Sequence, residues 1–213
     1  MFHRVIATLA FALAVPSVAL PSDSTLTTEP QTVVLAAQIP SGGYHVGAGV
    51  IIRAQGALTI VTAAHVVKGA KAIFVQTNTH ESLEVRDLRF IPDHDLALLR
   101  TSLPTGGLYV ATPDDTVSND APLYVWGHPH SKTFVLSEAR FLTERVTGGS
   151  AGLFAISCPT CAVGDSGGGV FDQRGHLLGI VSQDNPDVGA ATGIVIAEPI
   201  GAALAAAGIA MKH

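Results

Sequence analysis

The chain has 213 residues, of which 47% are hydrophobic and only 14% are charged, and its net charge is −5. This length can bury the core of one large domain or two small ones. A weakly acidic chain without basic runs has no electrostatic basis for binding nucleic acid or an anionic membrane, so neither partner is expected.

The N-terminus has the three-part pattern of a secretory signal. Residues 1–4 carry one positive charge, residues 5–15 are mostly apolar, and residues 17–19 (SVA) offer small side chains for cleavage. The apolar run is shorter than the roughly 20 residues of a membrane helix, although an uncleaved anchor or a first core strand would also fit. We expect removal of residues 1–19, a secreted or periplasmic location, and no stable membrane insertion afterwards.

The next part of the chain alternates short β-like runs with turn residues, which is typical of an all-β sandwich or barrel. A stretch rich in Pro, Gly, Thr and Asp between residues 102 and 121 is the best candidate for a connector between two halves. The predicted strands are 32–39, 47–53, 59–62, 72–77, 83–91, 96–100, 123–126, 133–143, 153–157, 169–172, 177–182 and 193–197.

The C-terminal segment predicts a helix. Glu198 and Pro199 precede an alanine-rich run, and Gly208 provides a stop. Proline near a helix start and an acid before it are both typical of a helix N-terminus. The segment has no cationic face, which favours packing against a barrel over a membrane surface.

Cys158 and Cys161 form a C-x-x-C motif with a proline inside it, just before a glycine-rich segment. A redox site would need a helix start after a strand, and a zinc site would need a second pair of ligands. A small local disulfide is favoured over free thiols. His128 and His130 have ligand-like spacing without a third ligand, so no metal or other cofactor is expected.

Three short segments carry groups suited to nucleophilic catalysis. Residues 62–65 (TAAH) place His65 after a β-branched run, and residues 95–99 (DLALL) place Asp95 before a core strand. Residues 164–168 (GDSGG) place Ser166 among glycines, whose backbone can turn N–H groups toward one point, as an oxyanion hole requires. Each segment alone is weak or ambiguous evidence, because the last one also satisfies G-x-S-x-G.

Together, these three motifs and their order His, Asp, Ser resemble the chymotrypsin-like (trypsin-like) serine protease family. The resemblance extends over about residues 30–210. The short spacing between His65 and Asp95 is similar to compact bacterial members, and residues 126–129 (WGHP) resemble the high-temperature-requirement proteases. The resemblance implies two six-stranded antiparallel β-barrels with a C-terminal helix. The expected domains are 20–110 for the first barrel and 111–213 for the second barrel with the helix.

The resemblance also implies roles for single residues. His65, Asp95 and Ser166 would form a triad that cleaves protein or peptide substrates through an acyl-enzyme. Asp93 is a rival acid, but the family has its acid directly before Leu-Ala-Leu. The N–H groups of Gly164 and Ser166 would form the oxyanion hole.

The family resemblance also indicates residues for substrate binding. Ser182 would support the triad acid and begin the strand on which substrate lies. Thr160 would lie at the base of the primary pocket, and the absence of a carboxylate there favours a small or medium apolar side chain at the cleavage site. Asp184, two residues after Ser182, would lie close enough to reintroduce a charge. Asp165 is present, but the freed terminus that activates digestive members is not identifiable.

Two other functions fit parts of the sequence. A catalytically silent family member would only bind, although an intact triad argues against it. An α/β-hydrolase esterase would place its acid and base after Ser166, using Asp184 and His213. That fold needs crossover helices, and the chain before Ser166 shows almost no helical periodicity. The sequence does not indicate an oligomeric state.

Overall fold

The computed structural model describes residues 32–77, 82–102, 111–114, 121–129, 134–143, 152–184 and 193–210. The predicted signal segment and the predicted limit between the two halves at residue 110 lie outside these residues. Within the described ranges, no helix is long and apolar enough to cross a membrane.

The first six strands close into an antiparallel barrel in the order β1-β2-β3-β6-β5-β4. Alternation along each strand sends every second side chain inward, as in β1, where Val33, Leu35 and Ala37 are fully buried. A short helix, α1 (Ala64–Val67), follows β3. The strands are β1 (Thr32–Gln38), β2 (Tyr44–Ala54), β3 (Ala57–Ala63), β4 (Ala72–Gln76), β5 (Ser82–Phe90) and β6 (Leu96–Thr101).

The remaining strands form a second sheet in the order β11-β8-β9-β10-β13-β12, which a further β11–β12 pairing closes into a barrel. The two-residue strand β7 joins β12 in parallel. The prediction of two six-stranded antiparallel barrels is confirmed, and an α/β-hydrolase fold is excluded. The strands are β7 (Thr112–Pro113), β8 (Pro122–Gly127), β9 (Val135–Thr143), β10 (Phe154–Ser157), β11 (Gly169–Phe171), β12 (His176–Asp184) and β13 (Ile194–Pro199).

The C-terminal helix α2 (Ile200–Ala206) begins directly after Pro199, as the sequence predicts. Its buried residues Ile200, Ala203 and Leu204 belong to an apolar cluster that contains residues of both barrels. The helix packs on β12 and β13 of the second barrel, and its buried side chains join the apolar cluster that the two barrels share.

Candidate active site

The first barrel positions His65 as the second residue of α1, two residues after the end of β3. Its backbone N–H donates to Oδ1 of Asp95 at 2.8 Å, and its ring Nδ1 lies 2.7 Å from Oδ2 of the same carboxylate. Because a carboxylate only accepts hydrogen bonds, Nδ1 carries the proton, and Nε2 is left as the basic nitrogen. The His65 side chain is 46% exposed, so this nitrogen is accessible from the cleft.

Asp95 lies at the end of the turn that leads into β6. In this turn Asp93 has a left-handed backbone with φ of 62°, and the carbonyl of Asp95 accepts the N–H of Ala64 at 3.0 Å. Asp95 therefore contacts the His65 segment through both its backbone and its side chain. The rival acid Asp93 is exposed.

A third hydrogen bond to the carboxylate of Asp95 comes from the second barrel. Ser182 Oγ donates to Oδ2 of Asp95 at 2.6 Å, and Ser182 is 4% exposed. The β12–β13 register shifts between Val181 and Gln183, so Ser182 occupies a bulge. A bulge redirects a side chain out of the normal alternation, and here it turns the hydroxyl toward the first barrel.

The environment of Asp95 shifts its pKa in two opposing ways. Burial raises the pKa of the carboxyl, while the hydrogen bonds from His65 and Ser182 lower it. The hydrogen bonds prevail, and the pKa of Asp95 lies below its ordinary value. The carboxylate is therefore ionised at neutral pH and can stabilise a positive charge on His65.

Ser166 sits in a glycine-rich loop that is fixed to both barrels. Its carbonyl accepts the N–H of Ala48 in β2 at 2.8 Å, and the N–H of Gly167 donates to the carbonyl of Val181 at 2.7 Å. Gly167 has φ of 85°, and a Cβ there would lie 2.0 Å from the carbonyl oxygen of Ala48. This close contact between the backbones of Gly167 and Ala48 permits only glycine at the position after the serine.

The hydroxyl of Ser166 donates to the carbonyl of Ser182 at 3.4 Å. Among the described residues, no hydrogen bond joins this hydroxyl to His65 and neither the Gly164 nor the Ser166 N–H has a protein acceptor. Gly164 has φ of 107°, a conformation that favours glycine. Both N–H groups are thus available for an anion in the cleft.

The loop before Ser166 contains a disulfide between Cys158 and Cys161. Next to it, the N–H of Ala162 donates to Oδ2 of the buried Asp165 at 2.8 Å. The carboxylate of Asp165 is therefore held within its own loop. The favoured interpretation of the C-x-x-C motif as a local disulfide agrees with this structure.

Thr160 and Asp184 are the two residues predicted to set specificity. Thr160 is exposed and lines a groove of about 960 Å³ together with residues of β9. Asp184 ends β12, and its side chain is outside the described part of the chain. Both roles stay predictions. His130 also lies outside the described residues, and within them no group of three or more His, Cys, Asp or Glu side chains could hold a metal ion.

The sequence of this double barrel matches a known family. The profile of the Trypsin-like peptidase domain covers residues 47–180, which is more than half of the chain. The chain belongs to the trypsin-like peptidase family. The protein "Uncharacterized protein y4bJ" of Sinorhizobium fredii is 32% identical over 167 residues, or 76% of this chain. The chain spans 24% of the length of that curated relative.

Solved structures of serine proteases share the fold of this trypsin-like chain. The active form of the Rv3671c protease from M. tuberculosis has a TM-score of 0.73 and 21% identity, covering 99% of this chain and 97% of that one. The HtrA-type protease AlgW with a tripeptide has a TM-score of 0.73 and 24% identity, covering 85% of this chain and 60% of that one. The serine endoprotease from Yersinia pestis has a TM-score of 0.64 and 21% identity, covering 81% and 60%.

Two residues beside the triad residues were missed by sequence reasoning in this trypsin-like chain. Glu198 was interpreted as part of a helix N-terminus, and no role was assigned to His94. In the structure Glu198 accepts hydrogen bonds from the ring of His94 and from the N–H of Asp95. The available signal was an acid at the end of the apolar strand at residues 194–199, where a charge needs a buried partner.

Proposed function

We propose that this chain is a serine endopeptidase whose catalytic residues are His65, Asp95 and Ser166. The observation that carries this proposal is the carboxylate of Asp95, which accepts hydrogen bonds from His65 at 2.7 Å and from Ser182 at 2.6 Å. These bonds join the acid and the base of the first barrel to Ser182 of the second barrel, and the hydroxyl of Ser166 contacts the carbonyl of the same Ser182. Membership of the trypsin-like peptidase family supports the same chemistry.

In the acylation step, Ser166 Oγ attacks the carbonyl carbon of the scissile peptide bond. Nε2 of His65 removes the serine proton as the new C–O bond forms. The hydroxyl must first turn from the carbonyl of Ser182, which it contacts at 3.4 Å, toward the ring of His65. A bond of that length is weak, and rotation about one side-chain torsion breaks it.

The tetrahedral intermediate then collapses to an acyl-enzyme. The C–N bond breaks, and the leaving amine takes the proton from Nε2 of His65. A water molecule next gives a proton to His65 and attacks the ester carbon. The acid product leaves, and the proton returns to Ser166 Oγ.

The backbone of the serine loop supplies the electrostatic part of the reaction. The N–H groups of Gly164 and Ser166 would donate to the oxygen that becomes negative in the tetrahedral intermediate. One such donor contributes about 10²–10³-fold to the rate in acyl transfer. The contact of the Ser166 carbonyl with Ala48 fixes the plane of the following peptide, which keeps this loop in place.

The substrate is proposed to be a protein or peptide that lies against β12. Thr160 and Asp184 are proposed to influence the preferred side chain, with small or medium apolar residues favoured because Thr160 carries no charge. A secreted or periplasmic location is proposed from the signal-like sequence of residues 1–19.

Cleavage of casein and of a peptide library by the purified chain tests this function. The unmodified chain should cleave, while Ser166→Ala and His65→Ala should fall to background. Asp93→Asn is the matched control, because it removes the neighbouring exposed acid. Equal cleavage by Ser166→Ala, or a folded unmodified chain that cleaves nothing, would contradict the proposal, the latter indicating a silent binding member of the family.

A further inference from the structure

A buried carboxylate lies behind the candidate triad. Glu198 is 1% exposed, at the end of β13 in the second barrel. A carboxylate without partners at such depth is very costly, so its contacts decide its role. Oε1 accepts the backbone N–H of Asp95 at 3.0 Å, and Oε2 lies 2.9 Å from Nδ1 of His94. The two oxygens of Glu198 therefore bind consecutive residues of the first barrel, one oxygen to each residue.

The strand pattern explains why Glu198 points toward the first barrel. Its neighbour Ala197 belongs to the core of the second barrel, and successive side chains of a strand point to opposite faces. On the adjacent strand β12, Glu198 pairs with Ile180, two residues before Ser182. The neighbouring strands β12 and β13 thus direct two polar groups at Asp95, a hydroxyl at its side chain and a carboxylate at its backbone.

The turn that carries Asp95 is closed at its ends by the bond from the N–H of Ile91 to the carbonyl of Leu96 at 2.9 Å. Within it, the N–H of His94 reaches the carbonyl of Ile91 at a long 3.3 Å, and Asp93 has φ of 62°. The His94 side chain is 14% exposed, so its ring is packed between the barrels rather than in solvent. The two hydrogen bonds to Glu198 are made by the last two residues of this turn.

We propose that Glu198 is a positioning residue that holds Asp95 in register with His65, an inference that rests on the proposed function of the site. Glu198 touches neither the serine nor the ring of His65, and it acts through the N–H of Asp95 and the ring of His94. Asp95 contacts His65 at two points, Oδ1 on the backbone N–H and Oδ2 on the ring. This two-point contact tolerates little displacement of the turn.

Removal of the Glu198 carboxylate leaves the Asp95 N–H and the His94 ring without these acceptors. The turn then relaxes, and the ring of His65 loses its fixed orientation. Displacement of a catalytic group by about 1 Å can lower a rate by about 10²-fold. We expect Glu198→Ala to lower kcat roughly 10- to 100-fold with KM nearly unchanged, because binding of the substrate does not involve this residue.

Glu198→Gln is the conservative variant. Its amide oxygen can accept from the Asp95 N–H, and its amide nitrogen can donate to a ring nitrogen of His94. If position rather than charge matters, this variant should recover kcat to within about threefold of the unmodified chain. Arg89→Ala is the control, because it removes a different contact between distant segments, the bond from Nη2 to the carbonyl of Ala207 at 3.2 Å.

The experiment compares kcat and KM of the unmodified chain, Glu198→Ala, Glu198→Gln and Arg89→Ala under conditions where urea titration shows each to be folded. Unchanged kcat in Glu198→Ala, with only a loss of stability, would overturn the proposal. Loss of kcat in Glu198→Gln as large as in Glu198→Ala would also overturn it, since charge would then matter rather than position.

A spectroscopic readout separates this proposal from the proposed function. The proton between His65 and Asp95 should give a low-field NMR signal, assigned by its disappearance in His65→Ala. The signal should persist in Glu198→Gln and weaken or move upfield in Glu198→Ala. If the unmodified chain cleaves nothing, the proposed function fails, and an identical signal in Glu198→Ala would still overturn the positioning role by itself.

Discussion

Ser182 in the second barrel donates a 2.6 Å hydrogen bond to the carboxylate of Asp95 in the first barrel. The bulge at Ser182 makes this bond possible, since it turns the hydroxyl away from the ordinary strand direction. The bond joins the orientation of the acid to the docking of the two barrels. The orientation of Asp95 therefore depends on contacts between the barrels as well as on its bonds to His65.

Removal of the Ser182 hydroxyl should weaken the acid. We expect Ser182→Ala to raise the pKa of Asp95 toward its ordinary value, because one of the hydrogen bonds that lower it is lost. The specificity constant kcat/KM should fall about 10-fold, the size of one charge-assisted hydrogen bond. Peptide cleavage measures this. Ser82→Ala on β5 is the matched control, and an equal effect of the two substitutions would contradict the assignment.

The two acids of the β5–β6 turn should behave differently. Asp95→Asn should lower kcat/KM by about 10⁴-fold, because an amide can donate to Nδ1 and stabilise the wrong tautomer of His65. Asp93→Asn should leave kcat/KM unchanged, since asparagine tolerates the left-handed backbone found there. Steady-state cleavage of one peptide by both variants tests this. A larger loss in Asp93→Asn would reverse the choice of acid.

The pH dependence of stability should reveal the lowered pKa of Asp95. A carboxyl whose pKa is lower in the folded state adds stability above its unfolded pKa of about 3.9, and this stability is lost as the pH falls through the folded value. The difference in free energy of unfolding between the unmodified chain and Asp95→Asn should therefore shrink below about pH 4. Urea titrations at a series of pH values measure it, and a difference that grows on acidification would refute the sign.

Gly167 should be irreplaceable for steric reasons. Gly167→Ala combines a left-handed backbone with a Cβ only 2.0 Å from the carbonyl oxygen of Ala48. Gly56→Ala is the matched control, because Gly56 has φ of 80° and open space around it. The control should lose about 1–2 kcal/mol of unfolding free energy, and Gly167→Ala about 1–3 kcal/mol more. Equal losses by urea titration would show that the serine loop moves aside.

Local sequence patterns predicted most of the fold. Residues 33–38 alternate buried and partly buried side chains, and each of the twelve predicted strands has a counterpart with slightly shifted ends. The strand β7 was missed, since two residues with a proline carry no periodicity. Helix α1 was missed because four residues are too few to show a helical pattern.

The contacts between the barrels could not be predicted. The sequence motifs around His65, Asp95 and Ser166 indicated which residues to expect in the site. They did not indicate that Glu198 would lie behind Asp95. These two residues are far apart in the sequence, and only the packing of β13 against the first barrel brings them together. Local patterns report the face of a strand on which a residue lies and not the element that faces it.

Labelling with a fluorophosphonate tests the central claim most directly, because the reagent reacts preferentially with an activated serine. The purified chain and Ser166→Ala are treated in parallel and read by intact mass. The account predicts a single adduct on the unmodified chain and none on the variant. An adduct on Ser166→Ala, or no adduct on a folded unmodified chain, would contradict the assignment of Ser166 as an activated nucleophile.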